Sequence, residues 1–558
     1  MPGFSHPHGP GSPALSRRSI LQLGGGVALL FATGCAAGTK AGDPAPAAST
    51  APGGSGAPAA RALRIAVGSY LSSWDQDFVG FDLTALMLYK NVFPYMIDYG
   101  VTSVGDGQIL DTEAIAPTFA ESFEPDADNK VWTLKLRQGV KFASGNEMTA
   151  NDVKWSKDRA FAAKANVAGV YRLIGLTKAD QVEVVDNYTV RFTQAFPSAL
   201  TRQIQAISLY VFDSEEAKKH ATDDDPWAKE WFAKNPPTGG YFNVEKAVQG
   251  QEILLSANTG YPGTDGAKSP QIRLTVVPAA SNQRLQLQNG DIDIAFGIGQ
   301  RDIKDLKTTQ GIKVISAPSN NQLAIQMSVT TAPFDDPAVR KALAQAVPYE
   351  QIIANVYGGD ARPTKSVVPL DMPGYSESGY PYTHDVAKAK ETLAGAGKTS
   401  ITSELVFQTD NEEQQQIAVL VQSEARKAGI ELKLTPLDPA TLAERREKKN
   451  IPLQITLGQL WVNDVEYMLG TSFTKGANLN YSNYVNDEIE KIFEESHTVV
   501  DEAERAKLWL RVQEIMAEDV PWVVVCQPNF NLPVREEVEG WVQPMDGLAR
   551  LRYLSVTG

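Results

Sequence analysis

Apolar and polar positions follow two periods along the chain, and residues 320–359 show both of them. The apolar run 323–325 is short enough to predict a buried strand. Asp336 and Pro337 are the residue types of a helix N-cap and first turn. Apolar residues then recur at helical spacing, at Val339, Leu343 and Val347. The stretch therefore predicts a strand, a proline-marked link and a helix of an α/β domain.

A second pattern predicts a complete β-α-β unit in the later part of the chain. Residues 404–408 read as a strand, 411–428 as an amphipathic helix that ends at Gly429, and 430–434 as a second strand. Such units are right-handed crossovers between parallel strands, so we expect a parallel pair here.

The first half of the chain shows more hairpin signals. Residues 131–136 alternate and predict a half-buried strand, and 181–185 with 188–193 predict a hairpin. Thr149 followed by Asp152 predicts a capping box that opens a helix. Further predicted strands are 61–67, 252–257, 271–277, 290–294 and 521–525, and further predicted helices are 83–95, 281–289, 385–397, 487–495 and 504–518. The fold class is α/β with mixed sheets.

The N-terminal residues have the composition of an export signal. Arg17 and Arg18 precede the apolar run 20–32, which is short and rich in glycine, and small residues then lead to Cys35. Residues 1–34 are predicted to be a signal peptide, either of a lipoprotein acylated at Cys35 or of an ordinary secreted protein with a chance cysteine. The twin-arginine and general export routes both fit. Residues 35–60 are almost entirely Ala, Gly, Pro, Ser and Thr and predict a flexible tether.

Chain length, net charge and cysteine count narrow the class of protein. A chain of 558 residues is too long for one core and favours at least two domains. The formal net charge of −14 argues against nucleic acid or an anionic membrane as the main partner. Cys35 and Cys526 are the only cysteines, so no disulfide framework or zinc set is predicted. After the signal no apolar run reaches 18 residues, the length that a membrane helix needs.

Catalytic motifs are missing from the sequence. After the signal the histidines are His220, His384 and His497, each alone in a polar or charged segment, and no HExxH or GxSxG motif occurs. The end of a phosphate-binding loop is imitated at 397–399, but Thr392 stands where that motif needs glycine. We expect neither an enzyme nor a cofactor or metal site.

Six motifs in order along the chain resemble the extracytoplasmic solute-binding proteins of the peptide/nickel ABC-importer family (family 5, oligopeptide/dipeptide-binding type). They are LRQGVKFASGNEMTANDVKWS (136–156), VEVVDNYTVRFT (182–193), VVPAASNQRLQLQNGDIDIA (276–295), APFDDPAVRKALAQAVPYEQII (332–353), HDVAKAKETLAGAG (384–397) and NYSNYVNDEIEKIFEE (480–495). A Thr-Gly-Gly-Tyr turn at 238–241 also matches.

The departures from the family concern the pocket more than the scaffold. Gly240 stands where the family usually has proline, and Gln326-Met327-Ser328 stand where many members have asparagine. After Trp461 the usual Asp-Pro is absent. These differences put the identity of the ligand in doubt rather than the fold.

The resemblance implies a two-lobed periplasmic-binding-protein-like fold (type II, large peptide-binding class) with mixed sheets and an extra subdomain in lobe one. Lobe one is then 61–317 together with a C-terminal return at 528–558, and lobe two is 318–527. The chain would cross between the lobes near 316–321 and 526–530. A ligand would bind in the cleft between them.

The resemblance also places the ligand contacts in three segments, 70–77, 322–328 and 459–467, with a further loop near Tyr481. An aromatic wall beside a carboxylate would suit an amine, so Asp464 is the leading candidate for a ligand ammonium group. The alternative is a solvated acidic loop beside a core tryptophan. The full set of predicted ligand-binding residues is Tyr70, Trp74, Gln326, Ser328, Trp461, Asn463, Asp464, Glu466 and Tyr481.

The resemblance implies a monomeric lipoprotein on the outer face of the cytoplasmic membrane, in the periplasmic or cell-wall space. It would pass a peptide or other amine-bearing solute to the membrane subunits of an ABC permease. The alternative function is a ligand-sensing or scaffolding lipoprotein without a transport role, and a hydrolase is a more distant one. An extended peptide would also bind through main-chain bonds to strand edges.

Overall fold

The computed structural model describes residues 61–79, 82–105, 107–236, 239–377, 379–458, 460–499 and 501–557. The predicted signal peptide, Cys35 and the tether of residues 35–60 lie outside the described residues. Among the residues that are described, no helix combines the length and the apolar character that crossing a membrane requires.

The strands, in chain order, are β1 (Leu63–Val67), β2 (Ile97–Val104), β3 (Gly107–Pro117), β4 (Ala120–Pro125), β5 (Val131–Leu136), β6 (Val182–Asp186), β7 (Thr189–Thr193), β8 (Phe242–Val248), β9 (Glu252–Ala257), β10 (Gln271–Val276), β11 (Ile294–Ala295), β12 (Ile312–Ala317), β13 (Gln322–Met327), β14 (Ala361–Pro363), β15 (Ile401–Gln408), β16 (Ile430–Leu437), β17 (Leu453–Gly458), β18 (Trp522–Pro528), β19 (Phe530–Arg535), β20 (Val538–Glu539), β21 (Val542–Gln543) and β22 (Ser555–Val556).

The α-helices are α1 (Leu83–Val92), α2 (Ala150–Ala162), α3 (Asn166–Tyr171), α4 (Thr201–Ser208), α5 (Ser214–His220), α6 (Lys229–Phe232), α7 (Ala280–Asn289), α8 (Gln300–Leu306), α9 (Pro337–Ala346), α10 (Tyr349–Asn355), α11 (Val386–Gly395), α12 (Glu412–Lys427), α13 (Pro439–Glu447), α14 (Val465–Ser472), α15 (Asp487–Ser496) and α16 (Glu502–Asp519). Short 3₁₀ turns lie at Gln76–Phe78, Arg172–Ile174, Ala179–Gln181 and Leu551–Tyr553.

Two large mixed sheets divide the described chain into two lobes. The seven-stranded sheet has the order β12-β19-β11-β1-β10-β9-β8, and the six-stranded sheet has the order β14-β18-β13-β17-β15-β16. We call the elements around the first sheet lobe one and those around the second sheet lobe two. Lobe one also holds the four-stranded sheet β4-β5-β7-β6 and the three-stranded sheet β2-β3-β21.

The chain changes sheet at two short links that lie side by side. The first runs from Ala317, the end of β12, to Gln322, the start of β13, and the second runs from Pro528 to Phe530. β12 pairs antiparallel with β19 in the first sheet, and β13 pairs antiparallel with β18 in the second. The two links therefore lie next to each other and form the covalent connection between the lobes.

Apolar burial explains the strand at the start of lobe two. All six residues of β13 are buried, because it is a central strand between β17 and β18. Leu323, Ile325 and Met327 enter the lobe-two core together with Val339 and Leu343 of α9. Asp336 caps α9 by accepting the backbone N–H of Ala338 at 2.8 Å. These contacts confirm the predicted strand, link and capped helix.

Most of the other predicted elements are confirmed as well. β15 and β16 pair in parallel on either side of α12, as the β-α-β pattern predicts. Thr149 opens α2, and its backbone N–H donates to the Asp152 carboxylate at 2.8 Å. Some predicted bounds were wrong: the predicted helix 83–95 ends at Val92, and the predicted strand 290–294 is observed only at Ile294–Ala295. The long hairpin of β2 and β3 was not predicted.

Candidate ligand site

The two links between the lobes are tied to each other and to neighbouring loops. Ser319 Oγ donates to the carbonyl of Pro528 at 2.6 Å, which joins the first link to the second. Asn320 Nδ2 donates to the carbonyls of Leu460 and Met545, at 3.0 and 2.7 Å. Since Leu460 follows a lobe-two strand and Met545 follows a lobe-one strand, Asn320 fixes where the segment after Leu460 meets lobe one.

The segment 460–467 packs against lobe one although it follows β17 of lobe two. Val462 and Tyr467 are buried in the main apolar cluster of lobe one. Leu460 and Trp461 are half-buried against the same cluster. The predicted tryptophan segment and lobe one therefore share one apolar core.

The predicted aromatic residues of lobe one belong to that same cluster. Trp74 is buried in it, and its backbone N–H donates to the carbonyl of Ala233 at 3.1 Å. Tyr70 is half-buried against it, and burial raises the pKa of its hydroxyl. The structure therefore brings Tyr70 and Trp74 into one apolar cluster with Trp461.

A buried ion cluster holds the loop that carries these aromatic residues. Asp75 and Asp77 are buried, and both accept hydrogen bonds from the guanidinium of Arg159, which is itself fully buried. Tyr210 donates its hydroxyl to Asp77 at 2.6 Å. Burial raises the pKa of Asp75 to about 6, although the Arg159 charge opposes this. These buried contacts therefore fix the conformation of the loop after β1.

Asn463 and Asp464 lie at the start of α14, next to the lobe contact. The Oδ1 atom of Asn463 is buried and accepts no hydrogen bond from the described residues. Asp464 is the N-cap of α14 and accepts the backbone N–H of Glu466 at 2.7 Å. Both oxygens of its carboxylate also accept from the single nitrogen Arg505 Nη2, each at 3.0 Å, and its side chain remains 22% exposed.

Glu466 has a different environment from Asp464. It is fully buried, and its two carboxylate oxygens contact Arg505 Nη1 at 3.1 Å and His497 Nδ1 at 2.8 Å. This buried carboxylate connects α14 to α16 and to His497 at the end of α15, so removing it would leave buried partners unpaired. The geometry gives Glu466 a structural part and leaves Asp464 as the accessible carboxylate of the pair.

Two carboxylates, Asp464 and Glu466, share the single guanidinium of Arg505, and His497 contacts Glu466. Burial raises the pKa of Asp464 to about 6, while Arg505 opposes the shift and Glu466 adds to it. The unpartnered acceptor of Asn463 lies one residue before Asp464.

The predicted residues of β13 lie in a separate polar group. Gln326 is buried and accepts from Gln454 Nε2 at 3.3 Å, and Arg446 Nε donates to Gln454 Oε1 at 2.9 Å. The guanidinium of Arg446 lies 5.5 Å from the ring centre of Tyr481. Gln326 and Tyr481 are thus connected through Arg446 and Gln454, within lobe two.

Ser328 lies just after β13 and is almost fully buried. Its hydroxyl is 2.9 Å from Thr331 Oγ1 and accepts from Asn483 Nδ2 at 3.2 Å. These bonds link the end of β13 to the loop before α15. The contacts of Ser328 come from lobe two, and its hydroxyl makes up part of that lobe's interior.

Lobe contacts also occur away from the two links. The ring of Phe196, from lobe one, stacks on His497, from lobe two, with ring centres 4.4 Å apart and planes 9° apart. On another side, the backbone N–H of Gln300 donates to Glu413 Oε1 at 3.3 Å. These contacts join the two lobes outside the two links.

Sequence patterns missed the partners of the predicted residues. Arg505 and His497 lie 41 and 31 residues after Asp464 and Glu466, respectively, in other helices. Arg446 and Gln454 were missed for the same reason. The available signal was weak: Arg505 is a basic residue on a face of α16 that also carries the buried Trp509 and Val512.

Comparison with known proteins adds the family context. The family model described as bacterial extracellular solute-binding proteins, family 5 middle, matches residues 114–480. The probable D,D-dipeptide-binding periplasmic protein DdpA of Escherichia coli (strain K12) is 27% identical over 461 residues, which cover 81% of this chain and 85% of the relative. The glutathione-binding protein GsiB of Salmonella paratyphi A is 25% identical over 508 residues, which cover 88% and 94%.

Solved structures agree with the two-lobed description. The ABC transporter-associated periplasmic binding protein DppA from Helicobacter pylori, in complex with the peptide STSA, superposes with a TM-score of 0.79. The match covers 89% of this chain and 98% of that one, at 23% sequence identity. At this identity the likeness concerns the fold.

Proposed function

We propose that this chain, which belongs to family 5 of the bacterial extracellular solute-binding proteins, is the substrate-binding component of an ABC importer. The match over residues 114–480 confirms the resemblance for the five motifs that it spans, and the solved structures confirm the two-lobed fold. Proteins of this family work outside the cytoplasm. In our proposal the lobes 61–317 with 528–558 and 318–527 close on a solute and present it to a permease.

The proposed ligand carries an amine, as a peptide or another small molecule. The observation that carries this proposal is the pair of Asn463 and Asp464: an unpartnered buried acceptor beside a partly exposed carboxylate, in a group where two carboxylates share one guanidinium. An ammonium group can donate to both oxygen acceptors. We place Trp461 on one wall and Tyr70 with Trp74 on the other.

The remaining predicted contacts take different parts in this proposal. Glu466 and Ser328 are engaged within lobe two, and we assign them to the support of the site. Gln326 and Tyr481 belong to the Arg446–Gln454 group, which we propose as a contact for the far end of an extended ligand. The relatives carry the names of D,D-dipeptide and glutathione binders, and both molecules bear a free amine.

The identity of the ligand is open to a direct test. Purified protein is denatured, and the small molecules it releases are identified by mass spectrometry. Isothermal titration with the identified ligand and with its N-acetylated form then measures the contribution of the amine. Equal affinity of the two forms contradicts the amine proposal, and an intact ligand after prolonged incubation supports binding without catalysis.

A sensing or scaffolding lipoprotein is the second candidate function, because the same fold serves either activity. A deletion strain distinguishes them. Loss of uptake of the identified ligand supports transport, and normal uptake with an altered response to the ligand supports sensing.

We also propose that Cys35 carries a lipid that anchors the protein to the outer face of the cytoplasmic membrane. The small residues before Cys35 and the tether after it support this. Metabolic labelling with a palmitate analogue tests it, with a Cys35→Ser variant as the control. Label that persists in the variant contradicts the proposal.

A further inference from the structure

We propose that lobe one carries a second small-molecule site, apart from the lobe contact, that binds a small organic carboxylate. A cavity of about 450 Å³ lies between the β2–β3 hairpin, the loop before β10 and the C-terminal 3₁₀ turn. Its walls include Asp98, Asp265, Lys268 and Arg552, and all of its lining residues belong to lobe one. A cavity of this volume suits a small metabolite.

Arg552 provides a buried positive charge in the wall of this cavity. Only 2% of Arg552 is exposed, yet it lines the cavity. Its Nη1 donates to Asp98 at 3.0 Å and its Nη2 donates to the hydroxyl of Tyr553 at 2.5 Å. The guanidinium carbon also lies 4.1 and 4.5 Å from the ring centres of Tyr241 and Tyr553. The guanidinium is therefore held in one orientation before any ligand binds.

One nitrogen of this fixed guanidinium, the buried Nε of Arg552, has no hydrogen-bond partner among the described residues. The nearby carboxylate oxygen of Asp265 is 3.9 Å away, beyond hydrogen-bond distance, and Asp265 already accepts from Tyr261 at 2.8 Å. A buried donor without an acceptor is unfavourable, so a ligand acceptor that reaches Nε would stabilise the protein.

The buried charges behind the cavity favour an anionic acceptor. Asp98 contacts three cations, Lys90 at 3.1 Å, Arg550 at 2.8 Å and Arg552 at 3.0 Å. Arg550 also pairs with Asp546 at 2.7 Å. Burial opposes the ionisation of Asp98, but the three cations hold its pKa well below the usual value. Asp265, 3.9 Å from Arg552, and Lys268 also line the cavity, so four cations face three carboxylates and one positive charge is in excess around it.

The rim and walls define the rest of the ligand. Lys268 and Asp265 are exposed at the rim, and Lys268 adds a cation at the entrance. Tyr99, Val101 and Pro117 supply apolar wall surface. A single excess positive charge and one free buried donor fit a monocarboxylate with a compact organic body better than a multiply charged phosphate.

Benzoate and its uncharged isostere benzamide are suitable probes. Saturation-transfer NMR and isothermal titration on the purified protein should show millimolar binding of benzoate and at least about tenfold weaker binding of benzamide. Ala116→Trp places a large ring at an exposed position of β3 that lines the cavity, and should abolish benzoate binding. Thr102→Trp, at an exposed position of β2 outside the lining, is the matched control and should leave it unchanged.

Two further variants separate this site from the proposed cleft. Lys268→Gln should weaken benzoate binding several-fold without affecting folding, because Lys268 is exposed. Asp464→Asn should leave benzoate binding unchanged, so failure of the amine proposal does not affect this test. Absence of benzoate binding, equal binding of benzoate and benzamide, or full binding by the Ala116→Trp variant overturns the proposal.

Discussion

Asp464 combines a structural contact with an accessible charge. It caps α14, it pairs with Arg505, and 22% of its side chain is exposed. Asparagine also caps helices well, so Asp464→Asn should preserve α14 while it removes the charge. We expect an amine ligand to bind more than tenfold more weakly to this variant, a loss of about 1.4 kcal/mol or more, as measured by isothermal titration.

The matched control for that substitution is Asp501→Asn. Asp501 caps α16 by accepting the backbone N–H of Glu504 at 3.0 Å, and it is exposed. The control should leave ligand affinity unchanged. If the Asp464→Asn variant also binds with wild-type affinity, the assignment of Asp464 to the ligand ammonium is wrong.

The pH dependence of binding provides a second test of Asp464. Because burial raises its pKa to about 6, the carboxylate is ionised at pH 7.5 and about nine tenths protonated at pH 5. A ligand ammonium loses its partner as the pH falls, so affinity should decrease about tenfold between pH 7.5 and pH 5. Titrations of the wild type and of Asp464→Asn measure this, and the variant should show a flat profile. A flat profile in the wild type contradicts the prediction. The pKa of Asp75 is also about 6, so a pH dependence that persists in the Asp464→Asn variant would have to come from another group such as Asp75.

Glu466 is expected to matter for stability rather than for the ligand. Its removal leaves Arg505 and His497 with one carboxylate fewer in a buried position. Glu466→Ala should lower the free energy of unfolding by about 3 kcal/mol, measured by urea denaturation. The control is Glu488→Ala, which breaks an exposed pair with Arg511 of the same helix α16 and should change the urea midpoint little. Similar effects of the two substitutions would argue against a buried ion cluster.

At the scale of elements, most of the fold follows from local patterns. The strand, link and capped helix from Gln322 to Ala346 and the β-α-β unit around α12 have short-range signals of burial, capping and turn residues. The β2–β3 hairpin was missed because the outer half of β2 is exposed on both faces, so its apolar residues Val101 and Val104 do not alternate with polar ones. The partners of Asp464 and Glu466 could not be predicted, because they depend on how α14, α15 and α16 pack.

The turn at Gly239 and Gly240 shows how a departure from the family pattern is accommodated. The backbone N–H of Gly240 donates to the carbonyl of Val92 at 2.8 Å, a bond that proline, the usual residue there, cannot make. A Cβ atom at Gly240 would lie 2.5 Å from the carbonyl carbon of Val92 and 2.6 Å from Phe93 O. The close contact with the end of α1 therefore leaves no room for a side chain at position 240.

Gly240→Ala should therefore reduce the free energy of unfolding by about 1–3 kcal/mol, because backbone atoms on both sides must move. Urea denaturation followed by tryptophan fluorescence measures the change. Gly68→Ala is the control, since a Cβ atom there meets nothing within 4 Å, and should remain within about 0.5 kcal/mol of the wild type. A neutral Gly240→Ala would show that the α1 end is not tightly packed.

At the scale of the whole molecule, the lobes are joined by the two links of the chain and by side-chain contacts, one of which is a stack of two rings. The stack of Phe196 on His497 spans the lobes and contacts Glu466 through His497, so ligand site and lobe contact share one group of residues. We propose that a ligand at Asp464 favours the closed arrangement through this group. Such coupling requires that the ligand bind the closed form more tightly than the open one.

Fluorescence energy transfer between the lobes tests that closure. Val185 and Val485 are exposed positions of lobe one and lobe two, so Val185→Cys and Val485→Cys provide dye sites. In the chain from residue 61 onward the native cysteine, Cys526, is buried, and burial raises its thiol pKa to about 12, which keeps it unreactive.

Ligand should raise the closed fraction, and Phe196→Ala should lower it in the ligand-free protein. Trp231→Ala removes a similar stack, on His220 within lobe one, and should have no effect. Transfer that does not respond to ligand would contradict closure of the lobes.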